Sequence, residues 1–102
     1  MQDRFRFRFW NEKEIIYDDL PHLELYNCDD YIWMQCTGLK DKHGKLIYEG
    51  DIVERDNGLN TKRGVVKFNQ ALLRFEATNM CLFSLTHRSV VIGNIYENEE
   101  LL

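Results

Sequence analysis

Apolar and polar residues alternate at every second position through much of this chain, beginning with RFRFRF at Arg4 to Phe9. On an extended backbone Phe5, Phe7 and Phe9 share one face, and Arg4, Arg6 and Arg8 share the other. The pattern predicts a strand with a buried aromatic face and a row of three guanidinium groups opposite. Ile15-Ile16-Tyr17 predicts a returning strand after a turn at Asn11–Lys13. From Asp18 to Asp30 the alternation breaks up around Pro21, which reads as a loop or as a weak strand at Leu23-Glu24-Leu25-Tyr26. Tyr31 to Cys36 is rich in aromatic and bulky apolar side chains and predicts a strand. Asp41-Lys42-His43-Gly44 then predicts a hairpin turn, with Gly44 at the positive φ that a β-carbon disfavours. Leu46–Tyr48 leads into a sharp corner at Glu49-Gly50-Asp51, followed by a strand at Ile52–Arg55. DNGLNT, from Asp56 to Thr61, reads as a loop. Further strands are predicted at Arg63–Phe68, Leu72–Ala77 and Ser89–Ile95. The tail from Glu97 to Leu102 forms one helical turn or packs Leu101 and Leu102 onto a sheet.

Short strands, frequent turns and almost no helical period predict a mainly β, antiparallel fold with little helix. The order of elements after Gly50 predicts an SH3-like small barrel in the C-terminal two-thirds, with an N-terminal β-sheet packed on it. We expect one domain over residues 1–102. Residues 1–33 supply the N-terminal strands and an acidic loop, and residues 34–102 the barrel part. A chain of 102 residues with 44% hydrophobic and 13% aromatic content can bury a core of its own. No apolar run approaches the ~20 residues of a membrane span, and nothing at Met1 reads as a signal peptide. Three cysteines without a disulfide framework fit a reducing compartment, so a cytoplasmic, non-membrane protein is expected.

Charge changes the picture more through its placement than through its total of −4. Residues 1–10 carry Arg4, Arg6 and Arg8 against Asp3, whereas residues 11–31 set Lys13 against seven acids. From Gly64 to Ile92 the balance is positive again, with Lys67, Arg74 and Arg88 against Glu76. An acidic belt between mildly basic surfaces favours self-association or one oriented partner.

Catalytic and metal chemistry find little footing. His22, His43, His87, Cys28, Cys36 and Cys81 show no CxxC, HxH or HExxH spacing. Cys36 and Cys81 read as small core residues. Ser84 near His87 lacks a nucleophile elbow, and the doublets Asp18-Asp19 and Asp29-Asp30 point their side chains oppositely on an extended chain. Lys40, Lys42 and Lys45 cluster around Gly44, but their strand flanks suit a hairpin turn better than a phosphate cradle. No catalytic residue, cofactor or metal is expected.

Binding has one candidate. Arg4, Arg6 and Arg8 would stand roughly 6.6–6.8 Å apart on one strand face, close to phosphate spacing along a nucleic-acid strand. Trp10 and the phenylalanines could stack bases, and Lys62, Arg63, Lys67 and Arg74 could extend the surface. The alternative is a cross-strand ion-pair ladder to Glu12, Glu14 and Asp18, or a subunit contact, which the negative total charge favours. Trp33 and Tyr26 are the aromatics freest to serve a partner surface, while Tyr48 and Tyr96 are expected to pack within the fold.

Two blocks are more distinctive than any of these. MQCTGLKDKHGKLIYEGDIV, from Met34 to Val53, and VIGNIYENEELL, from Val91 to Leu102, follow an aromatic and basic opening at Phe7–Asn11. Together they resemble the YopX family of bacteriophage and prophage proteins. Gly64-Val65-Val66 and Phe68 stand where that family places a further strand. The chain departs from the family pattern at Cys36, where an aromatic is frequent, at His43, where Asn is usual, and at Glu99, where Pro commonly follows the last Asn. The resemblance implies a phage-encoded protein acting in a bacterial host and supplies no catalytic residues. We therefore expect a non-enzymatic accessory protein that works by protein–protein association. Its expected partners are copies of itself in a homo-oligomer, or a host or phage protein. The alternative is a nucleic-acid-binding module built on the arginine strand and barrel loops.

Overall fold

Alternation sets β1 (Phe7–Trp10) between two antiparallel neighbours, β2 (Ile15–Asp18) and β3 (Ile32–Lys40). The computed structural model describes residues 6–18, 31–56, 58, 60–77, 80–81 and 86–102. Arg4, the loop around Pro21, the weak strand at Leu23–Tyr26, His22, Cys28, the doublet Asp29-Asp30 and Ser84 lie outside them. β4 (Leu46–Tyr48) completes a four-stranded sheet of order β2-β1-β3-β4. The aromatic face of β1 is buried as expected: Phe9 is 0% exposed and meets Trp33 edge-on at 4.6 Å. β3 pairs with β1 through Ile32–Gln35 and with β4 through Cys36 and Lys40, with a register shift between those two. The expected division between residues 33 and 34 thus falls inside one strand that joins both parts.

β5 (Asp51–Asp56), β6 (Thr61–Val65) and β10 (Ser89–Asn94) form a second sheet of order β10-β5-β6. β7 (Lys67–Asn69), β8 (Arg74–Ala77) and β9 (Met80–Cys81) form a third. Ile47, Val53, Val66 and Ala77 make the central core, with Leu39, Phe75 and Val91 packed around it. It therefore draws on all three sheets. Ile47, Val53 and Val66 each contribute about 1.5–3 kcal/mol by leaving water, and Ala77 about 1. The result is mainly β and antiparallel, with a curled half-barrel and, among the described residues, only 3₁₀ turns as helix, at Thr86–Arg88 and Glu99–Leu101.

Two expected strands are interrupted. Arg63–Phe68 breaks at Val66, whose N–H donates to the Asp51 carbonyl at 2.8 Å and whose carbonyl accepts from Gly50 at 2.9 Å. Val66 is thereby drawn from its own ladder onto the Gly50 corner. Leu72–Ala77 loses its first two residues to a turn, in which Leu73 has φ 53°. β9 was not signalled by the alternation at all.

Candidate functional site

The corner Glu49-Gly50-Asp51 is where the sheets are tied together. Gly50 has φ +86°, and a β-carbon there would meet Met34 Sδ at 3.1 Å. Its carbonyl accepts from Ile95 N–H at 3.0 Å, which ties the C-terminal segment to the corner. Gln35 and Glu49 exchange bonds across the corner: Gln35 N–H donates to Glu49 Oε1 at 2.9 Å and Glu49 N–H to the Gln35 carbonyl at 3.0 Å.

Arg8 enters this corner from β1, at the centre of the first sheet. It is 2% exposed, and its Nη2 lies 2.7 Å from Asp51 Oδ1. Nη2 also donates to the Glu49 carbonyl at 3.1 Å, Nη1 donates to the Tyr17 hydroxyl at 3.4 Å, and the guanidinium lies 4.8 Å from the Tyr48 ring centre. Asp51 accepts the Tyr48 N–H through its other oxygen at 2.8 Å. Burial pushes the Asp51 carboxyl up, with Arg8 and the Tyr48 N–H pulling the other way. The expected open row of guanidinium groups is therefore corrected, because Arg8 is an internal anchor. Its ion partner is Asp51, not the acids Glu12 or Glu14 of the adjoining turn.

The hairpin turn and the tail close in the same manner. Asp41 is 7% exposed; its Oδ1 accepts from His43 N–H and Lys45 N–H, and its Oδ2 from Val91 N–H, all at 2.9 Å. Burial, the largest single influence, pushes its carboxyl up, but the three amides together hold it below its ordinary value. The hairpin turn forms as expected, with Gly44 N–H donating to the Asp41 carbonyl at 3.0 Å. In the tail, Asn94 Oδ1 accepts from Tyr96 and Glu97 N–H at 3.0 and 2.9 Å, and Asn98 Oδ1 accepts from Asn94 N–H at 3.1 Å. A β-carbon on Gly93 would fall 2.5 Å from that Asn98 oxygen, so this close approach requires glycine.

Beside the corner lies an open cleft of about 420 Å³ lined by Arg6, Tyr17, Lys40, Gly44, Lys45, Leu46 and Tyr48. Tyr17 and Tyr48 come from the two edge strands of the first sheet, yet their ring centres are 5.6 Å apart. Three strand spacings in a flat sheet would separate those strands by about 14 Å, so the sheet is curled around the cleft. Burial pushes the Tyr48 phenol up to about 12, so it remains a protonated donor at neutral pH.

The residues singled out in the sequence are scattered. Arg6 reaches the cleft. Trp10 is half-buried and stacked on Tyr96 at 5.5 Å, and Trp33 is half-buried with its ring edge-on to Phe7 and Phe9. Trp33, expected among the freest aromatics, is thus packed between two phenylalanines, and Tyr26 lies outside the described residues. Lys62 is exposed on β6, while Arg63 pairs with Glu54 at 2.9 Å and donates to the Leu101 carbonyl at 3.1 Å. Cys36 is fully buried, in keeping with a small core residue. Among the described residues, no three His, Cys, Asp or Glu side chains converge. Sequence reasoning missed Tyr17 and Leu46 as cleft residues and read Lys40 and Lys45 only as an exposed turn. The signal was the cluster of lysines around Gly44, but only the curl of the sheet brings Arg6 to it.

A small, antiparallel β protein whose most distinctive blocks hold its sheets together, with a basic cleft beside them, is the class these features define. The profile of the YopX family, described as YopX protein, matches residues 8–102, and the chain belongs to that family. Its fold is similar to the crystal structure of protein EF1440 from Enterococcus faecalis, at 27% sequence identity and a TM-score of 0.66. That similarity covers 95% of this chain and 96% of that one. Among curated proteins, none matches.

Proposed function

We propose that this YopX-family chain is a non-enzymatic accessory protein of phage or prophage origin, acting in the bacterial cytoplasm through protein–protein association as a homo-oligomer. The observation that supports this reading is the tip of the β7–β8 hairpin. Leu72 and Leu73 are 56% and 78% exposed there, and Phe68 beside them is 40% exposed and edge-on to Phe75 at 5.1 Å. Leucine at the positive φ of Leu73 is unfavourable by roughly 1–2 kcal/mol, which a partner surface would offset. Arg74 beside the tip is paired with Glu76 at 2.8 Å, and Lys67 stands opposite that same acid, so a second copy would meet the tip chiefly through its apolar side chains. On the same reading, residues 34–102 form an SH3-like barrel left half open. Among the described residues no helix is long and apolar enough to cross a membrane.

Sedimentation velocity across a concentration series tests the association. We expect an oligomer at micromolar concentration that a Leu72→Asp/Leu73→Asp variant reduces to monomer. A wild-type chain that stays monomeric over that range overturns the reading.

A further inference from the structure

We propose that the cleft between β2 and β4 is a nucleotide-binding site, with the phosphate held by Arg6, Lys40 and Lys45 and the base laid against Tyr17. Among the described residues its lining holds three cations and no acid, in a chain where acids outnumber bases by 17 to 13. The sign is not accidental to the geometry. Asp41 sits between the two lysines in sequence, but both its oxygens face backbone amides inside the fold. Glu49 likewise turns Oε1 onto the Gln35 amide. Asp41 and Glu49 are thus drawn away from the cleft, and the described lining presents a positive potential where an anion would enter. The same Asp41 bonds fix the turn that spaces Lys40 from Lys45. Both lysines are exposed, and neither has a salt bridge among the described residues.

Two tyrosines make a bare anion too simple an occupant. Tyr17 is 58% exposed, and its ring is fixed edge-on to the buried Tyr48. Its hydroxyl accepts a hydrogen bond from Arg8, which leaves the hydroxyl hydrogen to donate. The cleft therefore offers cations for a phosphate, a phenol donor, and a held aromatic face on which a base can stack. Its volume of about 420 Å³ lies within the range usual for small-ligand sites. A phosphorylated nucleoside fits all of these, whether free or as one unit of a nucleic-acid strand.

The test uses the full chain, ¹⁵N-labelled, titrated separately with adenosine 5′-monophosphate and inorganic phosphate, and a fluorescein-labelled oligothymidylate followed by anisotropy. We expect amide shifts centred on Gly44–Tyr48 with the nucleotide. The Lys40→Glu/Lys45→Glu variant should weaken binding about tenfold or more, as the loss of charged hydrogen bonds implies. Tyr17→Ala should weaken the nucleotide but leave inorganic phosphate unchanged. Lys13→Glu, which makes the same kind of charge change on the exposed β1–β2 turn, should change neither. If charge reversal unfolds the chain, Lys40→Gln and Lys45→Gln serve in its place.

Tighter binding of the oligonucleotide, with a log–log salt slope near −2 from about −0.7 per cation, identifies a strand as the source. Binding of the mononucleotide alone identifies a free nucleotide. Three results overturn the proposal: no binding of either probe, shifts centred away from the cleft, or phosphate and nucleotide binding equally and indifferent to Tyr17→Ala. The readout is independent of subunit association, so it succeeds or fails apart from the homo-oligomer reading.

Discussion

Arg6 and Arg8 stand two residues apart on the same segment, and the molecule uses them in opposite ways. Arg8 is sealed into the Gly50 corner, where a carboxylate, a backbone carbonyl and two tyrosines surround it. Arg6 lies at the rim of the basic cleft. The same contrast runs through the two regions as wholes. In the corner, turn and tail, the polar groups of Asp51, Asp41 and Asn94 are buried and bonded to backbone, which is what makes those sequence blocks so particular. In the cleft, Lys40 and Lys45 are exposed, and the described lining includes no acid. The most recognisable residues of the chain are thus occupied with holding its sheets together, and the surface open to chemistry lies next to them.

That contrast can be broken at its strongest point first. Arg8→Met leaves Asp51 buried without its cation and is expected to cost about 3–5 kcal/mol in urea unfolding, whereas an exposed arginine would cost little. Asp41→Asn comes next, at about 1–3 kcal/mol, because buried amides lose a charged acceptor. Its pH dependence sharpens the comparison. The folded carboxyl lies below its ordinary 3.8, so its contribution is whole above the unfolded value and is lost as pH falls through the lowered folded value. The acid limb of the wild-type stability curve should therefore be steeper than that of the Asn variant. Leu73→Gly gives the smallest effect and the opposite sign. Relief of the left-handed leucine should raise stability by up to about 1 kcal/mol while weakening self-association.

Much of the fold was legible because strands declare themselves by period two and turns by their glycines. The β1 alternation, the turn ending at Gly44 and the strand at Ser89 all follow from local chemistry. What alternation cannot supply is whether the second face of a strand is wet. The RFRFRF pattern shows which residues share a face, but β1 is central in its sheet and packs on the Gly50 corner, so Arg8 turned inward while Arg6 stayed at the cleft rim. The Glu49 carbonyl that Arg8 reaches is 41 residues away along the chain, and no local pattern pairs them. The break at Val66 has the same origin, since its backbone partners belong to Gly50 and Asp51. The cleft was illegible for a related reason: its cations come from two segments that only the curl of the sheet unites.

The most direct measurement is a double-mutant cycle across Arg8→Met, Asp51→Leu and the pair, by urea unfolding of all four proteins. A buried anchor predicts that the pair is more stable than either single variant, with a coupling of about 2 kcal/mol or more. Losses that simply add would show that Arg8 and Asp51 act separately, and would contradict an account in which the arginine strand is held inside the fold.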